Sequence, residues 1–168
     1  SLKIFDINNV IKKIRLTNLT LYSDFKIKNL AMAIKAVKFC GLKDNLIYRS
    51  LKKIKDVNGR LELARKFHNG VKVYIDFAHT PDALIKTLKS LKTNYGNNIS
   101  LVFGCGGERD QKKRSLMAKI ANNYCKKIYI TDDNPRNENP KKIRNDLLKH
   151  VAKEKAFDIG NRKLAVRK

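Results

Sequence analysis

The chain has 168 residues, 42% of them hydrophobic, and carries a formal charge of +23 from 38 Lys and Arg against 15 Asp and Glu. That length can bury one good core, or one domain with a fragment of another, and no apolar run is long enough to span a bilayer. The three cysteines, Cys40, Cys105 and Cys125, show no CxxC spacing and make an odd set, which points to reduced thiols in a cytosolic protein.

The lysines are spread along every expected helix instead of being massed in a tail, so the charge reads as a dispersed, solvated surface with no specific nucleic-acid partner. The contrasting reading is a basic α/β module that binds nucleic acid without catalysis, and it requires lysines gathered on one face.

Within the first 23 residues, KIFDI and IRLTNLTLY alternate as short strands do. With serine at position 1 and no signal peptide, they suggest a chain that begins inside a longer protein. Lys28–Gly41 reads as a helix with Leu30, Ala33, Ile34 and Val37 on one face and Gly41 as its stop. Asp44 is the candidate cap of a second helix, packed through Leu46, Ile47, Leu51 and Ile54. Val57–Glu62, VNGRLE, is a loop in which Gly59 supplies flexible backbone. Val71–Phe77 is a strand, and AHTPDALIKTLKSLK follows as a helix with Thr80 as N-cap, Pro81 first and Leu84, Leu88 and Leu91 inward.

Leu101–Phe103 and Ile128–Thr131 are too short for helices and rich in Val, Ile and Tyr, as buried parallel strands are. Between them, Lys112–Cys125 places Leu116, Met117, Ile120, Ala121 and Tyr124 on one helical stripe. Asn139 and Pro140 open another helix with Ile143, Leu147, Leu148 and Val151 inward, Ala156–Ile159 is a further strand, and GNRKLAVRK starts a last helix. The alternation from Val71 onward predicts an α/β domain with a doubly wound, mostly parallel sheet.

Two loops, GCGGERD and DDNPR, leave the carboxyl ends of neighbouring strands, where open α/β sheets bind their ligands. Each carries an arginine, Arg109 and Arg136, and the second adds Asp133 and Asn134. Guanidinium groups pair with carboxylates, and Asp or Asn receives an ammonium group, so the implied ligand is small and zwitterionic. GCGGERD matches neither the phosphate loop GxxxxGK[ST] nor a spaced GxGxxG. Cys105 within it has no paired base in sequence, which argues against a nucleophile. His68 and His150 have no motif context and read as surface residues.

FGCGGERD, TDDNPRNENP and DFAHTPDAL together resemble the C-terminal domain of the Mur ligases, and more narrowly the branch that adds diaminopimelate. The likeness implies residues 1–58 as the end of a central ATP-binding domain and 59–168 as a Rossmann-like C-terminal domain, ending before the family's GKGHE-type loop. It implies a cytoplasmic, monomeric, ATP- and Mg2+-dependent ligase of peptidoglycan synthesis, working through an acyl phosphate on a UDP-MurNAc-dipeptide. Arg109, Asp133, Asn134, Pro135 and Arg136 would bind meso-diaminopimelate, and Asn29, Arg60 and Asp76 would bind ATP. No P-loop is present, so the metal and most phosphate contacts are expected upstream and the segment alone is expected to be inactive. Several assignments stay open. Asn29 lies in SDFKIKNLAMA, where Ser23 and Lys26 depart from the family's Gly and Asn, and it reads equally as a helix-start residue. Arg60 reads also as an exposed loop arginine. His79 either neighbours the phosphates or holds its turn, and no catalytic side chain is certain. Another Mur ligase or a folylpolyglutamate synthetase-like enzyme is the nearer alternative.

Overall fold

Ser23 is buried and extended, and its hydroxyl accepts from the Lys26 amide at 3.3 Å, so helix α2 (Asp24–Phe39) starts there, ahead of the expected Lys28. The computed structural model describes residues 7–16, 23–55, 57–108 and 110–168. These divide into two compact units, one ending at Ile75 and one running from Asp76 to Lys168.

In the first unit, α1 (Asn8–Arg15) occupies part of what the sequence suggests as strand: Ile14 and Arg15 end this helix and Leu16 follows as its cap. Val10 and Ile14 lie four apart and bury with Ala31, Ile34, Ile47 and Leu51. The rest of IRLTNLTLY, and KIFDI up to Asp6, lie outside the described residues. The face of α2 is also rotated from the expected one. Ala31 and Ile34 are buried with Ile27 and Leu30 beside them, whereas Ala33 and Val37 are exposed. Asp44 does not cap α3 (Asp44–Ser50), because Lys43 holds the cap position and Asp44 sits in the first turn, paired with Lys38 at 2.5 Å. Ile47 and Leu51 pack as expected, but Leu46 and Ile54 are exposed.

Strand β2 (Lys72–Ile75) is shorter than expected and pairs antiparallel with β1 (Glu62–Lys66), of which the sequence reading assigns only Glu62, to a loop. Asn69–Gly70 is the signal for this hairpin. Gly70 takes φ +83°, Phe67 N donates to Val71 O at 2.8 Å, and the register then runs from Lys66–Lys72 to Glu62–Ile75 with a bulge between Leu63 and Arg65.

The second unit is built on a three-stranded parallel sheet, β3 (Ser100–Phe103), β4 (Lys127–Ile130) and β5 (Ala156–Asp158), in the order β3-β4-β5. This is the Rossmann-like α/β arrangement, with β2 outside its parallel ladder. Central β4 is buried at Ile128, Tyr129 and Ile130, as a strand covered on both faces must be. Helix α4 (Pro81–Tyr95) begins at Thr80, whose hydroxyl accepts from Ala83 N, and buries Leu84 and Leu88. It packs on α5 (Lys112–Tyr124), which packs in turn on α6 (Pro140–Leu148). Asn139 caps α6 as expected, and Asn161 caps α7 (Arg162–Val166).

The buried stripe of α5 is Arg114, Met117, Ala118 and Ala121. Ile120 and Tyr124 touch the core from its edge, and Leu116 is 50% exposed, contrary to the sequence expectation. The stripe is displaced because it contains an arginine, which a hydrophobic pattern assigns to the surface. Leu88→Ala is therefore expected to destabilise the chain by about 2–5 kcal/mol, while Leu116→Ala stays within about 0.5 kcal/mol. Denaturant unfolding of both variants measures the contrast, and a large loss from Leu116→Ala would contradict this helix face.

Candidate functional site

Phe103 and Ile130 end adjacent parallel strands, so the loops that follow them leave the same edge of the sheet. Thr131 N donates to Phe103 O at 3.0 Å, carrying the pairing one step past the strands. There the backbones close on each other. A Cβ at Gly104 would lie 2.2 Å from Thr131 O, and one at Gly107 would lie 1.9 Å from Pro135 O. Gly107 N donates to Asn134 O at 2.9 Å, and Arg136 Nη1 donates to Gly107 O at 2.6 Å. The glycines thus serve the approach of GCGGE to DNPR.

Charge completes the junction. Arg114 rises from the first turn of α5 and is 2% exposed. Its Nη2 meets both oxygens of Glu138 at 2.8 and 2.9 Å and reaches Gly106 O at 3.4 Å, while Nη1 donates to Asp146 on α6 at 3.3 Å. Glu138 also accepts from the Glu108 amide at 2.5 Å. Glu108 accepts in turn from the Asn137 side chain at 2.7 Å. Glu108 and Arg136 both have φ of +50°, a left-handed backbone that side chains disfavour. Arg114 Nε is buried without a partner among the described residues.

Asp133, Asn134 and Arg136 are exposed at this edge, with Pro135 half-buried between them. Asn134 Oδ1 accepts from the Arg136 amide at 3.3 Å, turning the chain so that Arg136 leads outward. Asp133 lies 3.6 Å from Arg162 at the start of α7. Arg162 Nη2 also donates to Asp132 O at 3.1 Å, and Arg144 joins the carboxylates of Asp132 and Asp158. Gly160, after β5, accepts from Thr131 Oγ1 at 2.9 Å and Asp132 N at 3.0 Å, so the third strand end is tied to the same loop. Arg109 lies outside the described residues.

The remaining expected residues are placed as follows. Asp76 Oδ1 accepts from Ala78 N at 2.9 Å and Thr87 Oγ1 at 3.1 Å, holding the turn into α4. His79 is exposed, its Nδ1 is 3.1 Å from Phe77 O, and its own carbonyl accepts from Lys113 Nζ at 3.1 Å. In the first unit, Asn29 is exposed inside α2 instead of at a helix start, and Arg60 is exposed beside buried Gly59. Gly59, at φ +68°, donates its amide to Glu62 at 2.7 Å, and Lys26 Nζ reaches Leu61 O at 3.1 Å. Cys105 is buried 3.9 Å from Met117 Sδ, and burial pushes its thiol up, which suits packing and not nucleophilic attack. Burial pushes Cys125 up to about 12. Among the described residues no three His, Cys, Asp or Glu side chains gather as a metal site.

Sequence reasoning missed Arg114, Glu138 and Arg162. Arg114 had one readable signal: it shares a helical face with Met117, Ala118 and Ala121, and a cation on an apolar face needs a buried acid.

Gly107→Ala is expected to destabilise the chain by about 1–3 kcal/mol, because Pro135 O must move. Gly106→Ala should cost less, since its Cβ would meet nothing nearer than Arg136 Nη1 at 3.0 Å and Asn134 O at 3.3 Å. Melting temperatures of the pair test this order. The Arg114 hydrogen bond, then the Glu108 amide, hold the Glu138 carboxyl below its ordinary range. A depressed carboxyl stabilises fully above its unfolded pKa, about 4.3, and loses that contribution as pH falls through the lower folded value. Stability measured by unfolding from pH 7 down to pH 2 should therefore fall below about pH 5, with a shallower fall in Glu138→Gln.

The model of the Mur ligase, glutamate ligase domain matches residues 59–168. The chain is 36% identical over 165 residues to the UDP-N-acetylmuramoyl-L-alanyl-D-glutamate--2,6-diaminopimelate ligase of Rickettsia typhi, covering 97% of this chain and 32% of that protein. Against the Rhizobium meliloti ligase of the same name the identity is 37% over 147 residues, covering 88% and 30%. A solved structure of such a ligase matches with a TM-score of 0.61 at 33% identity over 86% of this chain and 30% of that one. Mycobacterium tuberculosis folylpolyglutamate synthase complexed with ADP reaches 0.70 at 16% identity, covering 89% and 33%, which shows the fold alone. The chain spans about a third of the length of the curated relatives it matches. With the family model matched across the parallel-sheet unit and both loops of its carboxyl edge, the chain belongs to the Mur ligase family.

Proposed function

We propose that the full-length protein is a cytoplasmic, monomeric ligase of peptidoglycan synthesis that joins meso-diaminopimelate to UDP-MurNAc-L-Ala-D-Glu. Residues 1–58 would close its central ATP-binding domain and 59–168 would form its C-terminal domain. The observation that carries this reading is the exposed Arg136 guanidinium, anchored by Nη1 to Gly107 O at the carboxyl edge of the sheet. The names of the relatives at 36–37% identity support it.

A guanidinium has five donors in a flat fork. With Nη1 spent on a backbone carbonyl, the rest of the fork has a defined aim for the distal carboxylate of diaminopimelate. Asn134, Pro135 and Arg109 would shape the same pocket, and Asp133 would share its charge between Arg162 and the ligand ammonium. Asn29, Arg60 and Asp76 are assigned to ATP, and His79 either neighbours its phosphates or holds its turn through Phe77 O. ATP, when bound, activates the acceptor carboxylate as an acyl phosphate. No described residue is assigned to Mg2+. This segment contributes by positioning the attacking amine, a task for which orientation alone is effective. The parallel-sheet fold suits a folylpolyglutamate synthase equally, and the DNPR loop is what favours diaminopimelate.

A charge-assisted pair in a partly dry pocket contributes about 1.5–3 kcal/mol. Arg136→Ala in the full-length enzyme should therefore lower kcat/KM for diaminopimelate by roughly ten- to a hundredfold, leaving the KM for ATP within about twofold. Lysine, which lacks the distal carboxylate, should be a poor substrate and suffer less. Steady-state kinetics with both amino acids tests this, and unchanged diaminopimelate kinetics would remove the assignment.

A further inference from the structure

Arg114 is poorly explained as a stabilising residue. Its helix face is otherwise apolar, its guanidinium is almost fully buried, and its Nε has no partner among the described residues. Apolar replacements of buried ion pairs are often neutral or stabilising, so packing alone would favour a hydrophobic side chain there. What the arginine supplies is geometry. One side chain holds Gly106 O in the loop after β3, Glu138 just past DNPR, and Asp146 on α6. Glu138 closes the circuit on the Glu108 amide. Arg136, in the strained left-handed region, sits between these ties and takes its own anchor from Gly107 O. Such backbone persists only where its surroundings over-determine it.

We propose that Arg114, acting through Glu138, is a positioning residue for Arg136. It holds the two loops at one spacing and thereby sets where the Arg136 guanidinium meets the carboxylate of the incoming amino acid. This rests on the assignment of Arg136 to that amino acid. Arg114 touches no substrate, and its influence lies in the aim of a neighbour that does. A small displacement of a recognition group is costly, up to about a hundredfold for a misplacement near 1 Å.

The test is a double-mutant cycle in the full-length ligase. Arg114→Lys keeps the cation but loses the flat fork that spans three acceptors. It is expected to raise the KM for diaminopimelate at least about tenfold and to erode the preference for diaminopimelate over lysine. The KM for ATP should hold within about twofold. In an Arg136→Ala background the same change should add little, because the group it positions is already gone. Additive penalties, or equal losses toward diaminopimelate and ATP, would overturn the proposal and leave Arg114 as support for the fold. Parental diaminopimelate kinetics in Arg136→Ala would be a separate result, removing the assignment of Arg136 and this proposal with it. Glu138→Gln retains side-chain shape at a residue whose side chain is 18% exposed. It runs the same cycle, with the same outcomes, if Arg114→Lys does not fold.

Discussion

A guanidinium shut away from water has to be met by acceptors, and around Arg114 this requirement organises the carboxyl edge of the sheet. The ion pair with Glu138 crosses from α5 to the segment after β4, and the bond to Asp146 brings in α6. Breaking such a pair from one side leaves an uncompensated buried charge, at about 3–5 kcal/mol. The two loops therefore behave as one object. Neither can shift without stranding the cation between them.

Glycine and charge divide the work at this junction. Gly104 and Gly107 remove the side chains that would keep the loops apart, and the arginines then tie the closed loops together. A second ring of charge, with Arg144 between Asp132 and Asp158 and Arg162 beside Asp133, does the same between β4 and β5. Beyond the buried strand ends, the loops are held by hydrogen bonds and ion pairs. That suits the polar edge at which a zwitterionic amino acid is proposed to bind.

Much of the second unit was legible because its local signals agree with its tertiary ones. Thr80–Pro81 and Asn139–Pro140 cap helices whose apolar residues recur at the helical period, and β3 and β4 are short β-branched runs between loops. The first unit misled for the opposite reason. Exposed residues such as Leu46 and Val37 look like core in its sequence. Strand β1, ELARK, is almost wholly exposed and has no alternation to read, so only its Asn69–Gly70 turn betrays it. At the site, motif residues were readable as a cluster. The Arg114–Glu138 pair was not, since partners 24 apart in sequence announce nothing until the fold joins them.

The left-handed backbone at Arg136 has an evolutionary consequence. A glycine would occupy φ +50° without the roughly 1 kcal/mol or more that a side chain incurs there. Stability alone thus pulls this position away from arginine. Selection for heat resistance, or consensus design blind to substrate, would drift toward removing the proposed recognition group and score the loss as an improvement. On the proposed role of Arg136, thermal robustness and amino-acid choice oppose each other at this position, and an arginine kept there under such pressure would be a record of function.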